Sequence, residues 1–376
     1  MFEKTKALCE SFLKMGVPGF DLLVRKDGEV IFRHMGGYVD MENKIPVKGD
    51  EQYNIYSCSK PITVTAMMQL WEKGLFDLDD PLSKYLPEYE HMTVATENGI
   101  VPAKNPILVR QLFTMTAGLT YNLRSPSLMQ LREDTKGRCP TREVARYLAR
   151  EPLAFEPGTQ YLYSLGHDVL AALLEVLSGE KFEDYVRKNI FEPMGMENSD
   201  FLMDPAIYND RVATHYRFDA EQGKAVLRDK WPAYRLGTEH ASGGAGCVST
   251  VEDYSKFLEG LRTCKLLKKE TIDVITRDWH NEEEKKTFPI QNFWYGLGMR
   301  VRKPGSVLAD FGWGGAAGAT AHVDIVNGMT LYYSQHLISS PNQSIRTQVY
   351  NAVMADLGHD VPVQFPVDPE QNKLTY

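Results

Sequence analysis

The sequence predicts an α+β protein: one antiparallel sheet flanked by helices, assembled from both ends of the chain around an all-helical insertion. Three observations carry that expectation. Apolar and polar residues alternate over 19–25 and 29–36 around Lys26-Asp27-Gly28, and Asp-Gly between two apolar runs is a hairpin signal. From about residue 82 to residue 236 helical periodicity dominates, punctuated by Pro87, Pro106, Pro140, Pro152, Pro157 and Pro193. Strand patterns then return at 293–302, 306–312, 318–326 and 329–336, an order that suits an antiparallel meander. The expected division is a discontinuous sandwich region, 1–81 with 237–376, and a helical region, 82–236. The cleft between them is the default site.

Element by element, a mixed polar helix leads into the hairpin, and a short strand over 52–56 follows. Ile62, Val64, Ala66, Met67, Leu70 and Trp71 then form one broad apolar helical stripe, with Gly74 as its stop. Pro61 suits the first turn of that helix, where its missing N–H would lack a partner anyway. Thr250-Val251-Glu252-Asp253 reads as a helix N-terminus with acidic first-turn residues. A last helix over 341–357 precedes an irregular tail.

A chain of 376 residues forms two ordinary domains or one large domain with an insertion, and either buries a substantial core. With 43% hydrophobic and 24% charged residues, the composition is that of an ordinary globular protein. A net charge of −8, with only short basic runs such as 265–269, argues against nucleic-acid binding. The N-terminus has no apolar signal-peptide core and no stretch approaches a membrane-spanning length, so the expectation is a cytoplasmic protein without membrane partners. Cys9, Cys58, Cys139, Cys247 and Cys264 are odd in number and scattered, with no Cys-x-x-Cys pair, which fits reduced thiols better than disulfides or zinc. Nine histidines form no His-Glu-x-x-His helix, and no Gly-x-Ser-x-Gly elbow occurs. Neither a metal nor a cofactor is expected, and no pattern points to a particular oligomeric state.

Ser57-Cys58-Ser59-Lys60 places a hydroxyl and an amine one helical turn apart where a strand meets a helix. Residues three apart share a helix face, so Lys60 would aim at Ser57, and the helix start favours negative charge there. Ser57 is then a candidate nucleophile or simply an N-cap. Ser11-Phe12-Leu13-Lys14 and Ser178-Gly179-Glu180-Lys181 repeat the spacing, but inside an amphipathic helix and at a helix end. Tyr163, in Glu156-Pro157-Gly158-Thr159-Gln160-Tyr161-Leu162-Tyr163-Ser164, would serve as a general base beside a lysine or would pack on the helix that follows. Gly312-Trp313-Gly314-Gly315-Ala316-Ala317-Gly318-Ala319 joins two strands, as a tight hairpin whose bare edge can offer an oxyanion donor. Trp313 would be a core anchor or a wall of an acyl pocket. Ala241-Ser242-Gly243-Gly244-Ala245-Gly246 is another flexible lining candidate, which a turn before the Ser249 helix start also explains, and it stands outside the catalytic set.

Together these segments resemble the serine β-lactamase and penicillin-binding-protein superfamily, in the branch holding class C β-lactamases, DD-peptidases and family VIII esterases. The likeness spans nearly the whole chain. It runs through Gly16-Val17-Pro18-Gly19, Tyr56-Ser57-Cys58-Ser59-Lys60, Leu112-Phe113-Thr114-Met115-Thr116-Ala117-Gly118-Leu119, Glu156-Pro157-Gly158-Thr159, Tyr163-Ser164 and Pro193-Met194-Gly195-Met196. The resemblance implies a β-lactamase-like fold, Ser57 as the acylated nucleophile, and Lys60 with Tyr163 as a proton-sharing pair. It also implies that the N–H groups of Ser57 and Ala316 hold the oxyanion, beside Trp313, Gly314 and Gly315. Two departures stand out. The family's Tyr-x-Asn is Tyr163-Ser164-Leu165, and its Lys-Thr-Gly is Trp313-Gly314-Gly315, which removes polar partners of a β-lactam. Both changes resemble the esterase branch, so the expected activity is an acyl-enzyme esterase or acyltransferase acting on small acyl esters. A β-lactamase or D-Ala-D-Ala-type peptidase is the alternative, and a non-catalytic binding protein of this fold the reading of another class.

Overall fold

The computed structural model describes residues 1–203, 212–228 and 234–366. Helix α1 (Glu3–Lys14) leads into β1 (Gly19–Lys26) and β2 (Glu29–Asp40), the expected hairpin with Asp27 and Gly28 both at positive φ. Then follow β3 (Ile45–Pro46), β4 (Tyr53–Asn54) and helix α2 (Ser59–Glu72). The middle of the chain holds β5 (Thr93–Thr96), β6 (Gly99–Pro102), β7 (Tyr216–Asp219), β8 (Lys224–Leu227) and β9 (Val248–Ser249) among its helices. The C-terminal part adds β10 (Phe293–Tyr295), β11 (Arg300–Arg302), β12 (Phe311–Gly312), β13 (Thr320–Asp324), β14 (Met329–Gln335) and β15 (Leu337–Ile338).

The main sheet has eight strands in the order β10-β11-β12-β13-β14-β1-β2-β3, antiparallel throughout. The C-terminal meander therefore joins the N-terminal hairpin through β14 and β1, with Phe20 opposite Gln335 and Lys26 opposite Met329. One sheet face packs on α1 and the Gln348–Asp356 helix, burying Phe12, Phe20, Leu22, Tyr333 and Val353. The opposite face meets the Val251–Arg262 helix and, through Leu23, Ala321, Val323 and Tyr332, joins the larger core. Helix α2 runs through that larger core.

Several expectations change. The insertion is not all helical: β5 and β6 form a hairpin whose turn is marked by Asn98-Gly99, and β7 pairs with β8 and, in parallel, with β15. The 293–302 strand is split into β10 and β11 because Gly298 turns at positive φ and a Cβ on Gly296 would strike the Ile275 carbonyl oxygen at 2.1 Å. Of 306–312 only Phe311 and Gly312 pair as strand, Ser306 instead bonding locally to Leu308. The last helix begins at Gln348, since 341–347 are turns held by the buried Asn342. Helix α2 buries more than a stripe: Ser59 through Met68 is enclosed on every side, its threonines satisfied by Thr63 Oγ1 on Gly243 O (2.7 Å) and Thr65 Oγ1 on Pro61 O (2.8 Å). Of the expected helical region, 204–211 and 229–233 lie outside the described residues, as does 367–376 of the expected tail.

Candidate active site

The turn carrying Ser57 is held from three sides. Strand β4 pairs with β9, Tyr53 opposite Ser249, and the Ile55 N–H reaches Cys247 O at 3.1 Å. Tyr254 donates its hydroxyl to Cys58 O (2.7 Å), and Ser59 Oγ accepts the Cys247 N–H (3.0 Å). On the third side Gly315 lies so close that a Cβ there would come within 2.4 Å of Ile55 O. Between these anchors Tyr56 adopts a positive φ of 49°, an uncommon conformation for a residue with a side chain, and a 3₁₀ turn over Tyr56–Cys58 feeds α2. Cys58, not Ser57, stands at the α2 N-cap, and no side chain caps it.

Ser57 Oγ therefore points elsewhere. It lies 2.7 Å from the Tyr163 hydroxyl, which donates to it, and 3.3 Å from Lys60 Nζ. Lys60 is completely buried; its ammonium donates to Gly244 O at 2.7 Å and stands 4.6 Å from the Tyr163 ring centre. Trp313 Nε1 donates to the Tyr163 hydroxyl oxygen (3.3 Å), with the two rings stacked 6.0 Å apart. The cation thus stands over the phenol ring while an N–H donor reaches the phenol oxygen.

Burial keeps the neighbouring Tyr121, His167 and Cys58 uncharged. Tyr121 stacks on Tyr163 at 5.6 Å, and burial pushes its hydroxyl well above the ordinary tyrosine range, with Tyr163 and Asp168 adding to the effect. Burial holds His167 well below the usual histidine range, and the nearby Lys60 charge lowers it further. Cys58 is pushed up to about 12 by burial, so it is no competing nucleophile. All five cysteines are free thiols, and no cluster of histidine, cysteine and acidic side chains suited to a metal occurs among the described residues.

The structure thus brings Ser57, Lys60, Tyr163 and Trp313 together. Trp313 anchors as well as lines: it is 8% exposed and packs edge-on against Tyr295. Gly315 uses its N–H on Ala319 O (2.9 Å), so its part is close approach to the Ser57 turn, not oxyanion donation. Gly314 bridges to Thr320 and Ala316 stands half-buried at the tip of the same hairpin. Leu165 is buried in the main core, so the position after Tyr163-Ser164 offers the crevice no polar group. The two other Ser-x-x-Lys serines bond back along their own helices, Ser11 to Leu8 O (2.6 Å) and Ser178 to Leu174 O (2.7 Å). Sequence reasoning missed Gly244, whose carbonyl holds Lys60; the glycine cluster around it was the only available signal.

A family model described as Beta-lactamase matches residues 6–344. The chain belongs to the Beta-lactamase family. Relatives in this serine-hydrolase family include esterase EstB of Burkholderia gladioli, 27% identical over 82% of this chain and 83% of that protein. Acyltransferase calJ of Penicillium decumbens is 31% identical over 67% of this chain and 63% of that protein. The solved structure of EstCE1, titled a hydrolase with promiscuous acyltransferase activity, superposes with a TM-score of 0.77 at 25% identity, covering 93% of this chain and 97% of that one. In this member of the Beta-lactamase family, no helix among the described residues is long and apolar enough to cross a membrane.

Proposed function

We propose that this protein is a serine esterase or acyltransferase that works through an acyl-enzyme on Ser57. The observation that carries the reading is the Ser57 oxygen held between the Tyr163 phenol and the Lys60 ammonium, with Trp313 on the phenol. In the reactive form the Lys60–Tyr163 pair has given up one proton to solvent; as Ser57 Oγ then attacks an ester carbonyl carbon, its proton passes to the Tyr163 phenolate oxygen and the carbonyl electron pair moves onto oxygen. The N–H groups of Ser57 and Ala316 receive that oxyanion. Collapse expels the alcohol, which takes the proton from Tyr163, and leaves the acyl group on Ser57. Water, or an acceptor alcohol, then attacks the acyl carbon through the same groups in reverse.

Small acyl esters are favoured over β-lactams because Trp313 stands where a cation would meet the substrate carboxylate, and Leu165 is withdrawn into the core. The activities for which EstB, calJ and EstCE1 are named support both hydrolysis and acyl transfer. Five unpaired thiols suit a reducing compartment such as the cytoplasm. The test is kcat/KM for p-nitrophenyl butyrate beside nitrocefin on the same preparation, with and without an added alcohol acceptor. Ester cleavage at least about tenfold more efficient than nitrocefin cleavage is expected, a margin of the size that one unpaired buried polar group produces. Efficient nitrocefin hydrolysis with negligible ester cleavage would establish the β-lactamase reading instead.

A further inference from the structure

Lys60 presents an imbalance. Its ammonium is completely buried, yet the groups in contact with it are neutral: Gly244 O, Ser57 Oγ and the faces of Tyr163 and Tyr121. A buried charge normally has an opposite charge close by. The carboxylate that meets this need is Asp168, in the first turn of the Gly166–Ser178 helix and 1% exposed. A Cβ added to Gly244 would lie 2.7 Å from Asp168 Oδ2 and 3.5 Å from Lys60 Nζ, so carboxylate and ammonium face the same glycine. The two charges are no farther apart than those two distances together allow. A side chain at position 244 would fill the space between them.

The carboxylate is held from its other oxygen. Ser242 donates its hydroxyl to Asp168 Oδ1 at 2.6 Å, and His240 Nε2 stands 3.2 Å from the same atom. His240 Nδ1 accepts the Leu236 N–H (3.1 Å), which leaves Nε2, itself without a hydrogen bond, on the Asp168 side. Asp168 Oδ2 has no hydrogen bond and is left for the Lys60 side. Ser242 also accepts the Ala245 N–H (3.1 Å), so the side chain that orients the carboxylate shapes the turn whose Gly244 carbonyl holds Lys60.

We propose that Asp168 is a positioning residue that supplies the buried counter-charge for Lys60 across Gly244, with Ser242 aiming its carboxylate and His240 packed behind it. In its catalytic consequence the proposal rests on the acyl-enzyme reading above. The remaining titratable groups around Lys60 are Tyr163, Tyr121, His167 and Cys58, with His240 behind Asp168; Asp168 is the one carboxylate in that set. Its negative charge makes the Lys60–Tyr163 pair harder to deprotonate. Removing the charge therefore lets the pair lose its first proton at lower pH.

Two readouts on wild type, Asp168→Asn and Asp168→Glu test this. In the first, the acid limb of kcat/KM on p-nitrophenyl butyrate moves to lower pH by about one unit in Asp168→Asn, as loss of a near opposite charge requires, and returns toward wild type in Asp168→Glu. In the second, the pH titration of the Lys60 side chain, followed by NMR with 13C-labelled lysine and assigned with Lys60→Arg, moves the same way. A role confined to packing would lower activity or melting temperature and leave both midpoints where they were, and that result overturns the proposal. Should the wild type cleave no ester, the esterase reading fails while the NMR titration still decides for or against Asp168. If Asp168→Asn does not fold, Gly244→Ala, which pushes the carboxylate away, must shift the Lys60 titration in the same direction, and no shift there overturns the proposal as well.

Discussion

Two hydroxyl–base sets sit on opposite sides of the Trp313-Gly314-Gly315 edge, and by distance alone the other one looks the more familiar. Thr320 Oγ1 lies 3.1 Å from His322 Nε2, and His322 Nδ1 lies 2.8 Å from Asp310 Oδ2, the order of a hydroxyl–imidazole–carboxylate triad. All three residues are completely buried. Arg300 reaches Thr320 Oγ1 (3.2 Å), Arg302 Nε donates to Asp310 Oδ1 (2.8 Å), and the Tyr350 ring stacks on His322. Every side of that set is closed by charge or ring. Ser57 instead sits part-exposed at a strained turn ahead of a helix, with its bases arriving from α2 and from the helical region. The difference teaches that access and the charge balance around the hydroxyl separate a reactive site from an ion network, and that triad distances do not.

The comparison breaks or sharpens on four variants. Ser57→Ala should reduce ester turnover about 10³-fold or more, as loss of a nucleophile does, and steady-state rates on p-nitrophenyl butyrate read it directly. Tyr163→Phe keeps the ring stack on Tyr121 and removes the oxygen beside Ser57, for an expected loss of about 10²- to 10³-fold in kcat with a smaller change in KM. On the sealed side, Asp310→Asn should destabilise the fold by about 3 kcal/mol or more in urea unfolding at pH 7, because it leaves Arg302 and His322 without their buried anion. The smallest effect on chemistry belongs to Thr320→Val: kcat/KM per folded molecule stays within about twofold of wild type, although the melting temperature falls. Loss of turnover there without unfolding would mean that the sealed set takes part in catalysis.

Buried histidines, His322 of the sealed set among them, dictate how stability depends on pH. Burial lowers His322 to about 4, and likewise His215 to about 4 and His336 to about 3, against an ordinary histidine near 6.5. In each case the unfolded chain takes up the proton first, so stability is complete above the ordinary histidine value and is lost as pH falls from there toward 4. Asp310, held below the ordinary carboxylate range by His322 and Arg302 against the opposing effect of burial, adds a loss in the same direction at still lower pH.

How much of this was legible follows from where each contact comes from. Local chemistry was readable: the Asp27-Gly28 hairpin, the Thr250 cap that receives the Asp253 N–H at 3.1 Å, and the Ser57–Lys60 pair all lie within a few residues of one another. Tyr163 and Trp313 became meaningful through resemblance, since nothing in spacing brings residues 106 and 256 positions from Ser57 to its side. Gly244 was visible only as part of a glycine-rich segment, and Asp168 and His240 gave no signal, because the three act through a carbonyl, a buried carboxylate and a ring nitrogen that only the folded chain assembles. The strand break at Gly296–Gly298 failed for a related reason: apolar alternation continues through it, and a backbone approach by Ile275 decides against pairing.

The most direct measurement is intact-protein and peptide mass spectrometry after a fluorophosphonate probe, on wild type, Ser57→Ala and Thr320→Val. One adduct on Ser57 in the wild type and in Thr320→Val, and none in Ser57→Ala, is the predicted result. An adduct on another residue, or none in a preparation that still cleaves esters, would contradict it.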